Sequence, residues 1–404
     1  MTDVGEALGA RRMAGFKDFF QYASATRVVA GRDLLSGTGF ELGKEGAHRV
    51  WLVTDKVIRG TGLIDKVDAG VTDSGIEIAG VFDDVPQDSS TDVVDRCAAE
   101  AKEAGADSFL AVGGGSVLDT AKIADVVFSQ GGNAAEKEGF FLMDREDDGM
   151  GAPLPLAPLV CIPTTAGTGS EVSMGAIVKD PERKVKLEIA DFPLFPRLAI
   201  LDPETTRTLP AKVAAATGMD AMTHAIEGYV SVDWSPHQDA RSLHALRMIR
   251  DNLERAVQRG EEDEEARGNM LIAANLAITI ALGSVHAMSH PAGARFGVPH
   301  GVANAIHLPH VIRHNAAGSD DIADRYRDIG EIFDVAEPEI GDALAVYLTG
   351  LIESLGLPTR LSQVGVPEEG IPALVEGAMG DGTTLLNPRE MEEDDYAELY
   401  RAAL

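Results

Sequence analysis

A change of rhythm near residue 204 constrains this chain more than any single motif. Before it, apolar runs at residues 49–55, 76–82, 108–112, 159–162 and 198–201 read as strands, and residues 62–68, 91–104 and 116–128 read as helices between them. Parallel neighbours in a sheet need long crossovers, usually helical, so this alternation folds as a parallel sheet covered by helices. After Asp202 and Pro203 the pattern is helical, over residues 212–230, 239–258, 262–288, 322–333, 340–355, 371–379 and 394–403, with Gly and Pro at the breaks. The expected fold is an α/β N-terminal domain, residues 1–204, and an all-α C-terminal domain, residues 205–404. Residues 131–157, with their acids, glycines and prolines, read as a long surface excursion of the first domain.

Two loops at strand ends carry the first chemical signal. The strand at 108–112 runs into Gly113, Gly114, Gly115 and Ser116, where a helix begins. Glycines let a backbone approach an anion closely, and a helix start presents unpaired N–H groups with partial positive charge. The stretch matches neither G-x-G-x-x-G nor a Walker A loop, so a plain strand-to-helix turn also accounts for it. A second loop, PTTAGTGSE, follows the next strand and offers Thr164, Thr165 and Thr168. Two polar loops at the carboxyl ends of one sheet define a nucleotide crevice. Asp55 ends the first strong strand. A carboxylate there can bind both hydroxyls of an adenosine ribose and would repel a 2′-phosphate, which favours NAD over NADP. The same position also suits a turn or cap residue.

The second signal is a crowd of histidines. Six of the ten lie between His286 and His314. Residues 271–288 read as helix, which puts His286 and His290 on one face near its end, with Pro291 and Gly293 stopping it. Pro299 is expected to aim His300 from a following turn. Asp220 and His224 repeat the four-residue spacing on the helix at 212–230. Imidazoles with a single carboxylate suit a borderline divalent metal such as Fe(II) or Zn(II), whereas an all-oxygen shell suits Mg(II) or Ca(II). Either the two pairs share one cation, or these are core histidines satisfied by backbone carbonyls.

Composition sets the surroundings. Sixty-five acids against 35 bases give a formal net charge of −30, with 11 Lys against 24 Arg. Such a surface repels nucleic acid and anionic membranes. It is the surface expected of a protein in concentrated salt, where screening cuts the reach of self-repulsion to about 3 Å at 1 M. A halophilic host is the expectation, and a merely acidic cytosolic protein the alternative. Cys97 and Cys161 are the only cysteines, which excludes a disulfide framework or a Cys-based zinc site. No secretory signal is visible, so a cytoplasmic location is expected. The one stretch long enough to consider as a membrane span, residues 269–288, contains Asn269, Asn275 and His286 and reads as a buried helix.

With these residues assembled, the chain resembles an iron-containing (group III) alcohol dehydrogenase from about Ala30 to the C-terminus. The resemblance rests on LVTDK, AVGGGSVLDTAK, PTTAGTGSEVS, LAILDPE, MDAMTHAIEGYVS, VHAMSHPAGA, PHGVANAIHLPHV and DGTTLLNPRE. It implies a Rossmann-like α/β half and a helical half, a dehydroquinate-synthase-like architecture with the active site in the cleft between them. It implies that Asp220, His224, His286 and His300 bind the metal, usually Fe(II), with Zn(II) as the alternative. It also implies that His290 relays protons near the substrate, and that Gly114, Gly115, Ser116, Asp119, Thr164, Thr165, Thr168 and Lys186 contact the cofactor. The neighbouring Lys184 is the other candidate for the lysine. The implied activity is hydride transfer between an alcohol and NAD, giving an aldehyde or ketone, in a homodimer. KVKLEIADFP resembles hydroxyacid-oxoacid transhydrogenases, which is one alternative; a metal-binding protein without turnover is the other. Three departures from the family pattern stand out: Gln87 in place of Asn, a longer segment at 139–156, and Thr383 where Cys is frequent.

Overall fold

The computed structural model describes residues 20–140, 156–183 and 185–404. Its first half is built on six strands, β1 (Arg27–Ala30), β2 (Arg49–Val53), β3 (Glu77–Phe82), β4 (Ser108–Gly113), β6 (Leu159–Pro163) and β9 (Leu198–Leu201), in the order β1-β9-β6-β4-β2-β3. All the pairings are parallel. Alternation along β4 shows how the sheet is covered. Phe109 and Ala111 join Trp51, Val53 and Cys161 in one buried cluster, while Leu110 and Val112 join Leu52, Val160 and Ile162 in another. Helices α1 (Thr38–Lys44), α2 (Lys56–Gly60) and α3 (Leu63–Thr72) follow β1 and β2; α4 (Thr91–Glu103) and α5 (Gly115–Gln130) flank β4. Burial on both faces is why the strands read as unbroken apolar runs. Each fully buried Leu, Ile or Phe contributes about 1.5–3 kcal/mol toward closing these layers.

The sequence pattern missed four strands. β1 is short and mostly exposed at the sheet edge, so it shows little apolar signal. β5 (Gly139–Phe140), β7 (Gly175–Asp180) and β8 (Val185–Ala190) form a second, small sheet in the order β5-β8-β7, with β7 and β8 antiparallel. Leu187 and Ile189 of β8 enter the core, and Lys186 and Glu188 take the other face. Lys184 and most of the long segment at 139–156 lie outside the described residues.

The second half is helical: α6 (Ala211–Val230), α7 (Pro236–Gln258), α8 (Glu264–Ala277), α9 (Ser284–Phe296), α10 (His300–Ala316), α11 (Asp320–Ile332), α12 (Ile340–Ser354), α13 (Ile371–Met379) and α14 (Glu393–Ala403). Three expectations need correction. The helix expected across 271–288 is two helices, because Arg241 satisfies the carbonyls of Asn275 and Ile278 from outside and lets the chain leave α8. Pro291 does not stop its helix; α9 runs on to Phe296 and ends at Gly297, whose φ of 69° suits glycine. His300 does not sit on a turn but opens α10, with Pro299 as its cap residue. Among the described residues, no helix is long and apolar enough to cross a membrane.

Candidate active site

The crevice expected to hold a nucleotide is assembled by register. Gly113 at the end of β4 pairs with Pro163 at the end of β6, and the Thr164 N–H donates to the Gly113 carbonyl at 3.0 Å. Both loops therefore leave the sheet side by side. A Cβ on Gly115 would lie 2.8 Å from Thr168 Cγ2, so glycine is what allows the second loop to close over the start of α5. Ser116 accepts from the Asp88 N–H at 3.0 Å, tying in the loop after β3, where Gln87 is exposed. Gly114, Thr164 and Thr165 border the same space: Thr164 is buried, and Thr165 lies 3.3 Å from a Cβ built on Gly114.

Besides Ser116, several of the anticipated cofactor residues have protein partners of their own; Thr168 Oγ1 accepts from the Ser170 N–H at 3.3 Å. Asp119 accepts from the Ser170 hydroxyl at 2.6 Å and from the Ile177 N–H at 3.1 Å, which fastens α5 to the second loop and to β7. Lys122, one turn on, donates to the Ser173 and Gly175 carbonyls. Asp55 caps α2, accepting from the Val57 and Ile58 N–H groups at 2.8 and 2.9 Å. Lys186 lies across the crevice with Nζ 3.9 Å from Asp88 Oδ1, and burial pushes its ammonium pKa down.

Across from the crevice, four side chains converge. Asp220 and His224 project from α6, His286 from α9 and His300 from the first position of α10. Asp220 Oδ1 lies 3.5 Å from His300 Nε2, 3.9 Å from His286 Nε2 and 4.0 Å from His224 Nε2. A tetrahedral shell with bonds of about 2.1 Å has edges of roughly 3.4 Å; Asp220, His286 and His300 already lie within 4.8 Å of one another, whereas His224 stands outside that group and would have to turn further to join it. A Cβ on Gly301 would lie 2.2 Å from the Ala216 carbonyl oxygen. Glycine there is what lets the start of α10 approach α6 and brings His300 within reach.

Hydrogen counting supports a cation at this point. The Asn304 amide nitrogen, a donor, faces Asp220 Oδ1, His286 Nε2 and His300 Nε2 at 2.8, 3.3 and 3.2 Å. Two amide hydrogens meet three acceptors, while Asn304 Oδ1 is buried without a partner. Burial pushes His224 down to about 4 and His300 well below the usual histidine value, so both are neutral lone-pair donors. Glu227 fixes the third: its Oε2 lies 2.5 Å from His286 Nδ1, and its Oε1 accepts from the Val285 N–H at 2.7 Å. With Nδ1–H given to Glu227, a neutral His286 turns its Nε2 lone pair to the centre. Burial opposes charging of His286, and the carboxylates of Glu227, Asp220 and Asp381 together pull its pKa up.

His290 is one turn beyond His286, its ring stacked on that of His300 with centroids 5.4 Å apart. Its Nδ1 lies 2.7 Å from Asp381 Oδ2. Asp381 also accepts from the Thr383 N–H and hydroxyl at 3.0 and 2.6 Å. Thr383 thus turns its hydroxyl to Asp381. Burial alone would raise the Asp381 carboxyl; His290 and Thr383 together hold it down at about 2. Glu227, Asn304 and Asp381 were not picked out from the sequence. Glu227 did leave a signal, seven residues after Asp220 on the same helix face, and Asn304 is four after His300.

Comparison with known proteins agrees with this geometry. The family model for iron-containing alcohol dehydrogenase matches residues 25–203, and that for the C-terminal part of the Fe-containing alcohol dehydrogenase family matches residues 214–404. The chain belongs to the iron-containing alcohol dehydrogenase family, whose members interconvert alcohols and carbonyl compounds. It is 36% identical over 393 residues to a 1,3-propanediol dehydrogenase of Klebsiella pneumoniae, covering 95% of this chain and 98% of that protein. It is 33% identical over 385 residues to an NAD-dependent methanol dehydrogenase of Bacillus methanolicus, covering 93% and 97%. The crystal structure of a 1,3-propanediol oxidoreductase superposes with a TM-score of 0.88 at 33% identity, covering 96% of this chain and all of that one.

Proposed function

We propose that this protein oxidises a short alcohol with NAD, or reduces the matching aldehyde or ketone with NADH, at a divalent cation held by Asp220, His224, His286 and His300. Fe(II) is the expected ion and Zn(II) the alternative, since three imidazoles and one carboxylate suit either. The convergence of Asp220, His286 and His300, whose ligand atoms lie within 4.8 Å of one another, with His224 Nε2 4.0 Å from Asp220, carries the reading. When bound, the cation supplies an electrophile for the substrate oxygen, and the nicotinamide supplies the hydride acceptor or donor.

The protein's own contributions follow from the contacts above. Asp220 brings a single negative charge, so a doubly charged ion keeps a net positive site. Glu227 orients His286, and Gly114, Gly115, Ser116, Thr164, Thr165 and Thr168 shape the space for the dinucleotide phosphates. Lys186 adds a cation to that space, while Asp119 holds the two loops together. Asp55, which caps α2, is the residue assigned to the adenosine ribose, where its charge would favour NAD over NADP. His290, its Nδ1–H pointed at Asp381, presents Nε2 to accept or return the substrate proton.

The α/β unit is assigned to residues 1–204 and the helical unit to 205–404. Buried, unpaired Cys97 and Cys161 support a cytoplasmic setting; a homodimer rests on the family resemblance. The charge of −30 supports a salt-loving protein, active at molar salt and inactivated on dilution. The test is a screen of short alcohols, diols and aldehydes in high salt after reconstitution with Fe(II) or Zn(II). NADH formation with an alcohol supports the proposal, and none with any metal or substrate overturns it.

A further inference from the structure

The face of β8 turned toward the helical half carries two opposite charges. Lys186 leans to the cofactor side, beside Asp88. Glu188 leans to the substrate side: its Oε1 lies 3.9 Å from His290 Nδ1, and a quarter of its side chain is exposed. Glu188, His290 and Asp381 offer atoms within 4.8 Å of one another. The other carboxylates here are hydrogen-bonded, Asp220 to Asn304, Glu227 to His286 and Val285, and Asp381 to His290 and Thr383. The Glu188 carboxylate makes no hydrogen bond among the described residues; it meets charges, those of His290, Asp381, Lys186 and His286.

A half-buried carboxyl group without a donor is an open acceptor. An incoming hydroxyl would satisfy it, whereas a second anion would add to a charge that burial already disfavours. Lys186 keeps its charge, since it shares Asp88 with Lys179, but it is turned to Asp88 at 3.9 Å and not to His290. We propose that Glu188 sets substrate class: the cleft takes neutral short alcohols and aldehydes, above all those with a second hydroxyl, and turns away those bearing a carboxylate. This rests on the dehydrogenase reading above. It also separates the protein from hydroxyacid-oxoacid transhydrogenases, whose substrates are anions.

The test compares 1,4-butanediol with 4-hydroxybutanoate, equal in chain length and different at the far end. Both are measured on the metal-reconstituted protein as kcat/KM with NAD, and as dissociation constants for the complex with NADH. The diol is expected to be preferred by roughly 100-fold, a like-charge penalty of ordinary size. Glu188→Gln shrinks that preference about tenfold or more, and Glu188→Asp, which keeps the charge, retains it. Equal use of both substrates, or a preference unmoved in Glu188→Gln, overturns the assignment. If neither substrate is oxidised, the wider alcohol screen decides the dehydrogenase reading, and the dissociation constants alone decide the role of Glu188.

Discussion

Asp119, half-buried, and Asp220, buried, are both carboxylates on long helices, yet they face different company. Asp119 has each oxygen engaged by a protein donor, Ser170 on one and Ile177 on the other. Asp220 faces one amide donor and three imidazole nitrogens. The nucleotide crevice is thus self-sufficient in its side chains and is shaped by close backbone approach. The histidine centre holds more lone pairs than hydrogens, and its order depends on carboxylates one step behind it. A site of the first kind is sensitive to added bulk; a site of the second kind is sensitive to lost donors and to lost partners of donors.

Substitutions can break that contrast. The largest effect is expected from Asp220→Ala, which removes the only anionic donor: metal retained after dialysis falls from about one ion per chain to none, and activity falls to background, while NAD still binds. Metal retention with full activity would show that the centre is something else. Next is Asp381→Asn, whose amide would donate to His290 Nδ1 and favour the other tautomer; kcat is expected to fall by about 10²–10⁴ with metal content and NAD affinity unchanged. A rise in KM alone would place Asp381 outside the proton path. Glu227→Gln loosens the orientation of His286, and equilibrium dialysis should show metal affinity lower by about 10–100-fold. Smallest is Gly115→Ala, which pushes Thr168 off the start of α5. NAD affinity by fluorescence titration should drop about tenfold, some 1.4 kcal/mol, with the metal undisturbed.

What could be read from the sequence follows the same division between local and assembled features. The sheet strands were legible because burial on both faces leaves continuous apolar runs, and Asp220, His224 and His286 were legible because four-residue spacing marks a helix face. His300 was identified but misplaced. Pro299 reads as a turn, although proline is also at home where a helix begins. Pro291 misled in the opposite way, since packing of α9 holds the helix through it; the Tyr400 hydroxyl donates to the neighbouring Met288 carbonyl at 2.9 Å. Asp381 and Glu188 left no periodic trace. Asp381 comes to His290 from 91 residues away, and Glu188 comes from the small three-stranded sheet in the other half of the molecule. Tertiary structure alone places them.

The most direct test of the metal centre is anomalous diffraction at the iron edge from crystals of the Fe(II)-reconstituted protein. A single strong peak about 2.0–2.3 Å from Asp220 Oδ1 and from Nε2 of His224, His286 and His300 is the expected result. A peak elsewhere, or Asn304 still packed among those atoms with no ion beside it in an active protein, would contradict it.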